Sequence, residues 1–233
     1  MSARELLCAA CLLASAFGAS PRPAAAAERR DQVAPYLQAL ESHTLGDVEG
    51  RALGEPRRAS GDPVPIAGVS VLLLPFSPEV EAKLDGIKTH LRDKMGTYID
   101  ANAEVVSVRT TYERELLSAG GGELIRGAVS DEAGNVRLSG VPIGDWIMLA
   151  WREDPHAVKG GRVPAKEAAK FPDIPVITGY AAVSYWRARL SVQTGEVTSL
   201  NLTDRGVWLT AVREEFSNSR EVTKKGSDLK KRR

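Results

Sequence analysis

The residue types that most often carry catalysis or bind metals are few in this chain and far apart. Its three histidines, His43, His90 and His156, do not occur in an H-E-x-x-H arrangement of the kind that holds catalytic zinc. Both cysteines lie within the first eleven residues. The chain has no G-x-S-x-G nucleophile turn, and the KGGR run that contains Lys159 and Arg162 lacks the spacing of a phosphate-binding loop. The sequence therefore predicts a protein that is not an enzyme and has no cofactor or metal site.

Two further sets of side chains could bind a ligand. Asp131, Glu132 and Asn135 carry oxygen atoms of the kind that calcium prefers, but the formation of a tight turn explains the same residues. Four tryptophans lie on predicted strands and could stack on sugars, although core packing is the more common role of such residues: Trp146, Trp151, Trp186 and Trp208. Carbohydrate binding is therefore the alternative function.

The middle of the chain has the pattern of short strands separated by turns. Residues 130–135 (SDEAGN) combine short polar side chains with a glycine, which is typical of a turn. Residues 136–139 alternate between apolar and polar, as a strand with one wet face does. A second turn at 140–144 (GVPIG) precedes an apolar run at 145–151, which predicts a strand buried on both faces.

Similar patterns predict further strands, and together they indicate a mainly β, Ig-like or transthyretin-like antiparallel β-sandwich with a helical insertion. The predicted strands are at 45–53, 66–76, 181–192, 197–202 and 207–212.

The segment SDEAGNVRLSGVPIGDWIMLAW resembles the signature of carboxypeptidase regulatory-like (transthyretin-like) domains. The positions that match are Asp131, Gly134, Leu138, Val141, Pro142, Gly144 and Trp146. Upstream, GDVEG at 46–50 and VPIAGVSV at 64–71 resemble the first two strands of that family. The chain departs from the family by an insert between Ser77 and Gly122. The resemblance implies the sandwich fold and an accessory role in folding, tethering or interaction.

The insert, at about 78–119, is predicted to be helical. Ser77 is a good N-cap and Pro78 a good first helical residue. Apolar residues then recur every three or four positions, at Val80, Leu84, Ile87, Leu91, Met95 and Tyr98. The segment 103–118 fits either a second helix or a strand. An exposed stripe of Val80, Leu84, Ile87 and Leu91 would bind a protein partner; alternatively, the insert only covers an edge of the sheet.

The segment 154–179 is predicted to be a long, irregular loop, and such loops are often functional. It contains Lys159 and Arg162, and Tyr180 and Trp186 follow on the next predicted strand. We therefore expect the partner-binding surface to combine this loop with the insert. A solvent-exposed row of tryptophan or tyrosine, with Tyr180, Tyr185 or Trp186 facing out, would favour a sugar as the ligand.

The two ends of the chain differ from its middle. Residues 1–27 have the apolar run and small-residue cleavage sites of a secretory signal peptide, and residues 28–44 predict a helical segment that packs on the sandwich or binds a partner. The sandwich domain is expected to span 45–213. The segment 214–233 is predicted to be a basic, disordered tail, and from 217 onwards it has seven basic and two acidic residues, so it could contact an anionic surface weakly.

The composition is that of an ordinary globular protein, with 43% hydrophobic and 26% charged residues. A net charge of +1 gives no indication of nucleic-acid binding. The sequence thus predicts an exported interaction or structural module, located in the periplasm or outside the cell. Its expected partner is another envelope or extracellular protein, with polysaccharide as the alternative.

Overall fold

The structure is a computed structural model that describes residues 23–56, 61–91, 94–157 and 175–218. In these ranges the chain forms three helices and nine strands, which are joined in part by short 3-10 turns at Gly122–Leu124 and Asp204–Gly206. The elements are, in chain order, α1 (Pro23–Glu41), β1 (Leu45–Gly54), β2 (Val64–Pro65), β3 (Ser70–Pro75), α2 (Pro78–His90), α3 (Met95–Ser118), β4 (Arg126–Val129), β5 (Asn135–Pro142), β6 (Gly144–Ala157), β7 (Pro175–Val192), β8 (Val197–Thr203) and β9 (Leu209–Asn218).

The strands form two sheets, which confirms the predicted sandwich. In the small sheet, β1 is central and pairs antiparallel with β2 and β5. The large sheet has the order β4-β3-β6-β7-β9 and is antiparallel throughout. One pairing differs from an all-antiparallel arrangement, because β8 runs parallel to β1.

Where the large sheet faces the small sheet it is covered on both faces, and β7 shows how. The Trp186 indole N–H donates to the Thr203 carbonyl at the end of β8 (2.7 Å), so this face meets the small sheet. On the opposite face, the Tyr185 hydroxyl donates to the Asn102 side chain of α3 (2.9 Å), so that face meets the helices. The strand predicted at 145–151 lies beside β7, and its residues 146–150 are all buried. Its continuous apolar character follows from this double coverage.

The insert is a pair of helices that covers the outer face of the large sheet. The segment 103–118, for which both helix and strand were open, is helical within α3. The apolar spacing from Val80 to Tyr98 does not form one helix, because α2 ends at His90, Leu91 is extended and α3 begins at Met95. Met95 consequently lies exposed rather than on the apolar face.

The first helix, α1, packs against the sandwich. Val33 of α1 is fully buried, and the Tyr36 ring packs edge-on against Trp146 with 5.2 Å between centroids. The Tyr36 hydroxyl donates to the Asp145 carbonyl at 2.5 Å. The predicted packing of this segment on the sandwich is therefore what the structure shows. Helix α1 starts at Pro23, so it includes the last residues of the predicted signal peptide, whose residues 1–22 lie outside the described part of the chain.

The turn at 130–135 has the geometry that its residue types predict. The Asp131 carboxylate accepts hydrogen bonds from the Asn135 backbone N–H (2.7 Å) and side-chain amide (3.0 Å), and these bonds lower the pKa of Asp131. Gly134 has φ = 76°, and a Cβ there would lie 2.4 Å from the Ala52 carbonyl oxygen. The turn therefore needs a glycine for both its conformation and its space. The turn connects β4 of the large sheet to β5 of the small sheet, beside the end of β1.

Several predicted boundaries are wrong: at three of them a strand continues further than the local sequence indicates, and at another a strand starts later. The predicted loop 154–179 contains strand at both ends, since β6 runs to Ala157 and β7 begins at Pro175. The predicted tail 214–233 begins inside β9, which ends at Asn218. The predicted strand 66–76 starts only at Ser70, after a break at Gly68, where φ is 76°. Cross-strand pairing supplies the hydrogen bonds that extend β6, β7 and β9, and this information is not local.

No helix in the described ranges has the length and apolar character needed to cross a membrane.

Candidate functional site

The apolar stripe of the insert is not on the surface. Val80, Leu84 and Ile87 are buried, with 4%, 2% and 5% of their surface exposed, and Leu91 is half-buried against the same core. The prediction that these four residues form an exposed partner surface is therefore wrong. They hold α2 on the sheet, because an amphipathic helix beside an apolar sheet face buries its apolar side.

Most of the predicted sugar-stacking aromatics are also inside the molecule. Trp186 and Tyr185 are buried, and each uses its polar atom in an internal hydrogen bond. Trp151 and Trp208 are half-buried, and each lies under an arginine guanidinium, at 4.6 Å and 4.8 Å from the ring centroid. Of the predicted binding residues, Lys159 and Arg162 lie outside the described residues, and Tyr180 is half-exposed.

Tyr180 lies where the large sheet continues past the end of the small sheet. On this part of β7, Ala181, Val183 and Tyr185 are buried, whereas Tyr180 and the two alternate residues after it are half-exposed. Alternation places the buried set towards α3 and the half-exposed set on the side of Trp186, which meets the small sheet. Among the described residues, the extension of β6, β7 and β9 therefore has one covered face and one open face. We call this open face the floor.

The floor carries an aromatic pair next to an ion pair. The rings of His156 on β6 and Tyr180 on β7 stack with 5.1 Å between centroids and 30° between planes. Two residues from His156 along β6, the Asp154 carboxylate accepts a hydrogen bond from the Arg152 guanidinium at 2.5 Å. Cross-strand pairing sets this arrangement, because His156 pairs directly with Tyr180.

Strand β9 completes the floor with an acid and an exposed aromatic residue. Glu214 pairs directly with Tyr180 across the β7–β9 ladder. Phe216 pairs with Ile177 beyond a register shift in β7, and the two side chains are 55% and 43% exposed. Leaving two adjacent large apolar side chains in water is energetically unfavourable. This end of the sheet is therefore a candidate contact surface.

A cavity of about 280 Å³ lies where the floor meets the end of the small sheet. Arg152 contributes from the floor, Val64 and Pro65 contribute from β2, and Glu55 and Asp204 contribute carboxylates. The Asp204 carboxylate accepts the Glu55 backbone N–H at 2.8 Å, which holds the β1 end against the turn after β8. We call the floor and this cavity together the step, because the small sheet stands above the floor at this edge.

The chemistry of the step is that of binding. It offers aromatic faces, one guanidinium and several carboxylates, which can form hydrogen bonds and apolar contacts with a ligand. Burial raises the pKa of Tyr185 to about 12 and raises that of Tyr112, but neither side chain is at the step: Tyr185 faces α3, and Tyr112 lies on α3 and donates to the Pro75 carbonyl of β3. Among the described residues no group of three or more His, Cys, Asp or Glu side chains is placed to hold a metal ion.

Two other depressions are of a different character. A cleft of about 240 Å³ between the helices is lined by Arg29, which donates to Glu115 at 2.6 Å and pairs with Glu79 at 3.2 Å. This network joins α1 to the insert. A shallow hollow of about 490 Å³ lies on the outer face of the small sheet and is lined by polar side chains such as Arg51 and Arg137. Neither contains an exposed aromatic residue.

The sequence identified one member of the step, Tyr180, and missed the others. The sequence pattern indicates His156 only as a candidate metal ligand, and it places Glu214 and Phe216 in the predicted tail 214–233. A signal for β9 is present in the sequence, because residues 209–216 alternate in part between apolar and polar side chains. A predicted strand of that length would have placed Phe216 beside β7.

Comparison with known proteins gives only distant structural likenesses. No protein-family model matches the chain. No curated protein matches its sequence. A solved structure of a candidate carbohydrate binding protein from Pseudomonas aeruginosa aligns with 69% of this chain and 90% of its own, at 16% identity and a TM-score of 0.36. The resemblance to carboxypeptidase regulatory-like domains therefore stays a prediction.

Two pilus proteins align over a similar share of the chain. The minor pilin of Streptococcus agalactiae aligns with 69% of this chain at 12% identity and a TM-score of 0.29, and this chain spans 44% of it. The pilus backbone protein of Streptococcus pneumoniae aligns with 66% at 10% identity and a TM-score of 0.24, and this chain spans 41% of it. At such TM-scores the likenesses carry no argument about function.

Proposed function

We propose that this chain is a non-catalytic, exported interaction module, and that it binds a protein partner at the step. The observation that carries the proposal is the open floor at the end of β6, β7 and β9. There the described chain exposes the adjacent Ile177 and Phe216 beside the stacked pair of His156 and Tyr180.

The composition of the floor favours a protein partner. Aromatic residues and arginine are enriched at the centres of protein interfaces, and charged residues are common at their rims. The step has this order, with Tyr180 and Phe216 on the floor, and with Glu55, Asp204 and Arg152 around the cavity. The floor is also built on three paired strands, so little conformational entropy is lost when it binds.

The test compares two variants in capture and reconstitution. Tagged protein is used to capture partners from an envelope extract, and each candidate is then purified and titrated against the protein by calorimetry. The double variant Tyr180→Ala/Phe216→Ala should weaken binding at least about tenfold, as loss of central aromatic contacts does. Val197→Ala is the matched control, because Val197 is 56% exposed but lies on β8 in the small sheet. A partner that binds both variants equally would refute the proposal.

The alternative function is carbohydrate binding at the same step. The stacked rings of His156 and Tyr180 favour it, because a sugar ring can lie on an aromatic face while Arg152 and Asp154 bond its hydroxyls. Retention on envelope polysaccharide, lost in Tyr180→Ala and kept in Val197→Ala, would establish this function in place of protein binding.

A further inference from the structure

We propose that two copies of this chain associate through their β9 strands, so that the two large sheets join into one ten-stranded sheet. The inference does not require a partner at the step, because its main element is the unpaired edge of β9; it shares Phe216 and Glu214 with the floor. It commits to a second copy as the occupant of that edge, with a twofold axis perpendicular to the sheet.

The edge of β9 is a long unprotected strand. In the described ranges only β7 pairs with it, so its other side presents unpaired backbone N–H and C=O groups. It is ten residues long, whereas β4 at the opposite end of the sheet has four. Natural edge strands are commonly blunted by proline, by charged side chains (lysine above all) or by a bulge. The β9 sequence LTAVREEFSN has no proline or lysine, and its charged residues, Arg213, Glu214 and Glu215, are of both signs. The register shift of the β7–β9 ladder inserts its extra residue into β7.

Except for Glu214, which meets its own counterpart at the axis, the pattern of β9 is complementary to itself. A twofold contact requires that if one residue meets a second, the second also meets the first in the other copy. Antiparallel pairing that centres on Glu214 places Arg213 opposite Glu215 of the second copy, and Val212 opposite Phe216 of the second copy. Each contact then occurs twice. Oppositely charged and apolar pairs directly across two strands are the favourable ones.

The faces of the strands are consistent with this register. The Arg213 guanidinium pairs with Glu153 at 2.7 Å and with Glu215 at 3.3 Å, so these three residues share the face that meets α3. Val212, Glu214 and Phe216 alternate with them and lie on the floor. In the joined sheet both floors face the same way, and the 55% exposed Phe216 side chains come together with Val212 near the axis. Association thus covers the most exposed apolar residue of β9.

The test is a charge swap followed by sedimentation velocity on the purified chain over a range of concentrations. We expect a reversible dimer of the 25.1 kDa chain. Arg213→Glu and Glu215→Arg should each weaken the dimer about tenfold, because each places like charges opposite at two symmetric positions. The double variant should recover most of the loss. Glu153→Gln is the control, since it removes the ion pair of Arg213 with Glu153 within one copy but no contact between copies.

Glu214 gives a second, independent readout of the register. In the proposed pairing it faces Glu214 of the second copy, so Glu214→Gln should tighten the dimer rather than weaken it. A chain that stays monomeric at millimolar concentration would overturn the proposal. So would a dimer that ignores the charge swap or that Glu214→Gln leaves unchanged, because the contact would then lie elsewhere. Thermal unfolding of each variant is followed in parallel, and only variants that melt like the parent protein are compared.

Discussion

A substitution at Leu84 tests whether the insert is part of the core or a surface for a partner. Its side chain on α2 is 2% exposed, so replacing it with alanine removes a fully packed group and leaves a cavity. Buried leucine-to-alanine changes cost about 3–5 kcal/mol in the free energy of unfolding. For a chain of this size each 1 kcal/mol lowers Tm by about 2–4 °C. We therefore expect Leu84→Ala to lower Tm by about 6–20 °C in calorimetry.

The matched control is Leu117→Ala, on α3 of the same helix layer. Leu117 is 59% exposed, so its removal should change the free energy of unfolding by no more than about 0.5 kcal/mol. If Leu84→Ala melted with its parent, α2 would not be packed on the sheet. The stripe on α2 would then be free for a partner, as the sequence pattern alone suggested.

Three further outcomes follow from particular contacts. Gly134→Ala should cost at least about 2 kcal/mol in chemical denaturation, because alanine disfavours a φ of 76° and its Cβ would collide with the Ala52 carbonyl. Tyr185 has a folded-state pKa of about 12 against about 10 when unfolded, so the unfolded chain loses this proton first and stability falls as pH rises from 10 to 12. Tyr185→Phe should abolish about 1.3 kcal/mol of the loss in unfolding free energy between pH 9 and pH 11, measured by urea unfolding at both pH values. Val33→Ala should lower the free energy of unfolding by about 2 kcal/mol if α1 is part of the fold, and an unchanged urea midpoint would show that α1 is detachable.

The turn at 130–135 shows what local chemistry can predict. Asp131 and Asn135 form hydrogen bonds within four residues of each other, and Gly134 supplies a left-handed conformation. Nothing distant is needed to specify such a turn, which is why the residue types predicted it and the strands on either side. The apolar run at 145–151 was similarly informative, because a strand covered on both faces must be apolar throughout.

The insert shows what a local sequence pattern cannot predict, namely what an apolar helical face packs against. The spacing of Val80, Leu84 and Ile87 predicted an apolar helical face, and α2 has one. The same spacing is found in a helix that packs on its own sheet and in a helix that binds a partner, since both bury one face. Only the position of α2 over the large sheet distinguishes the two cases.

The sequence by itself determined the short turns, the strand and helix periods and the sandwich class, because these depend on residues a few positions apart. The tertiary structure alone decided that the small sheet ends before the large one does. Cross-strand pairing extended β6, β7 and β9, and it placed His156 beside Tyr180 and Glu214 beside Tyr180. These partners are separated by more than twenty residues in the chain, so the step forms only when the whole sheet has formed.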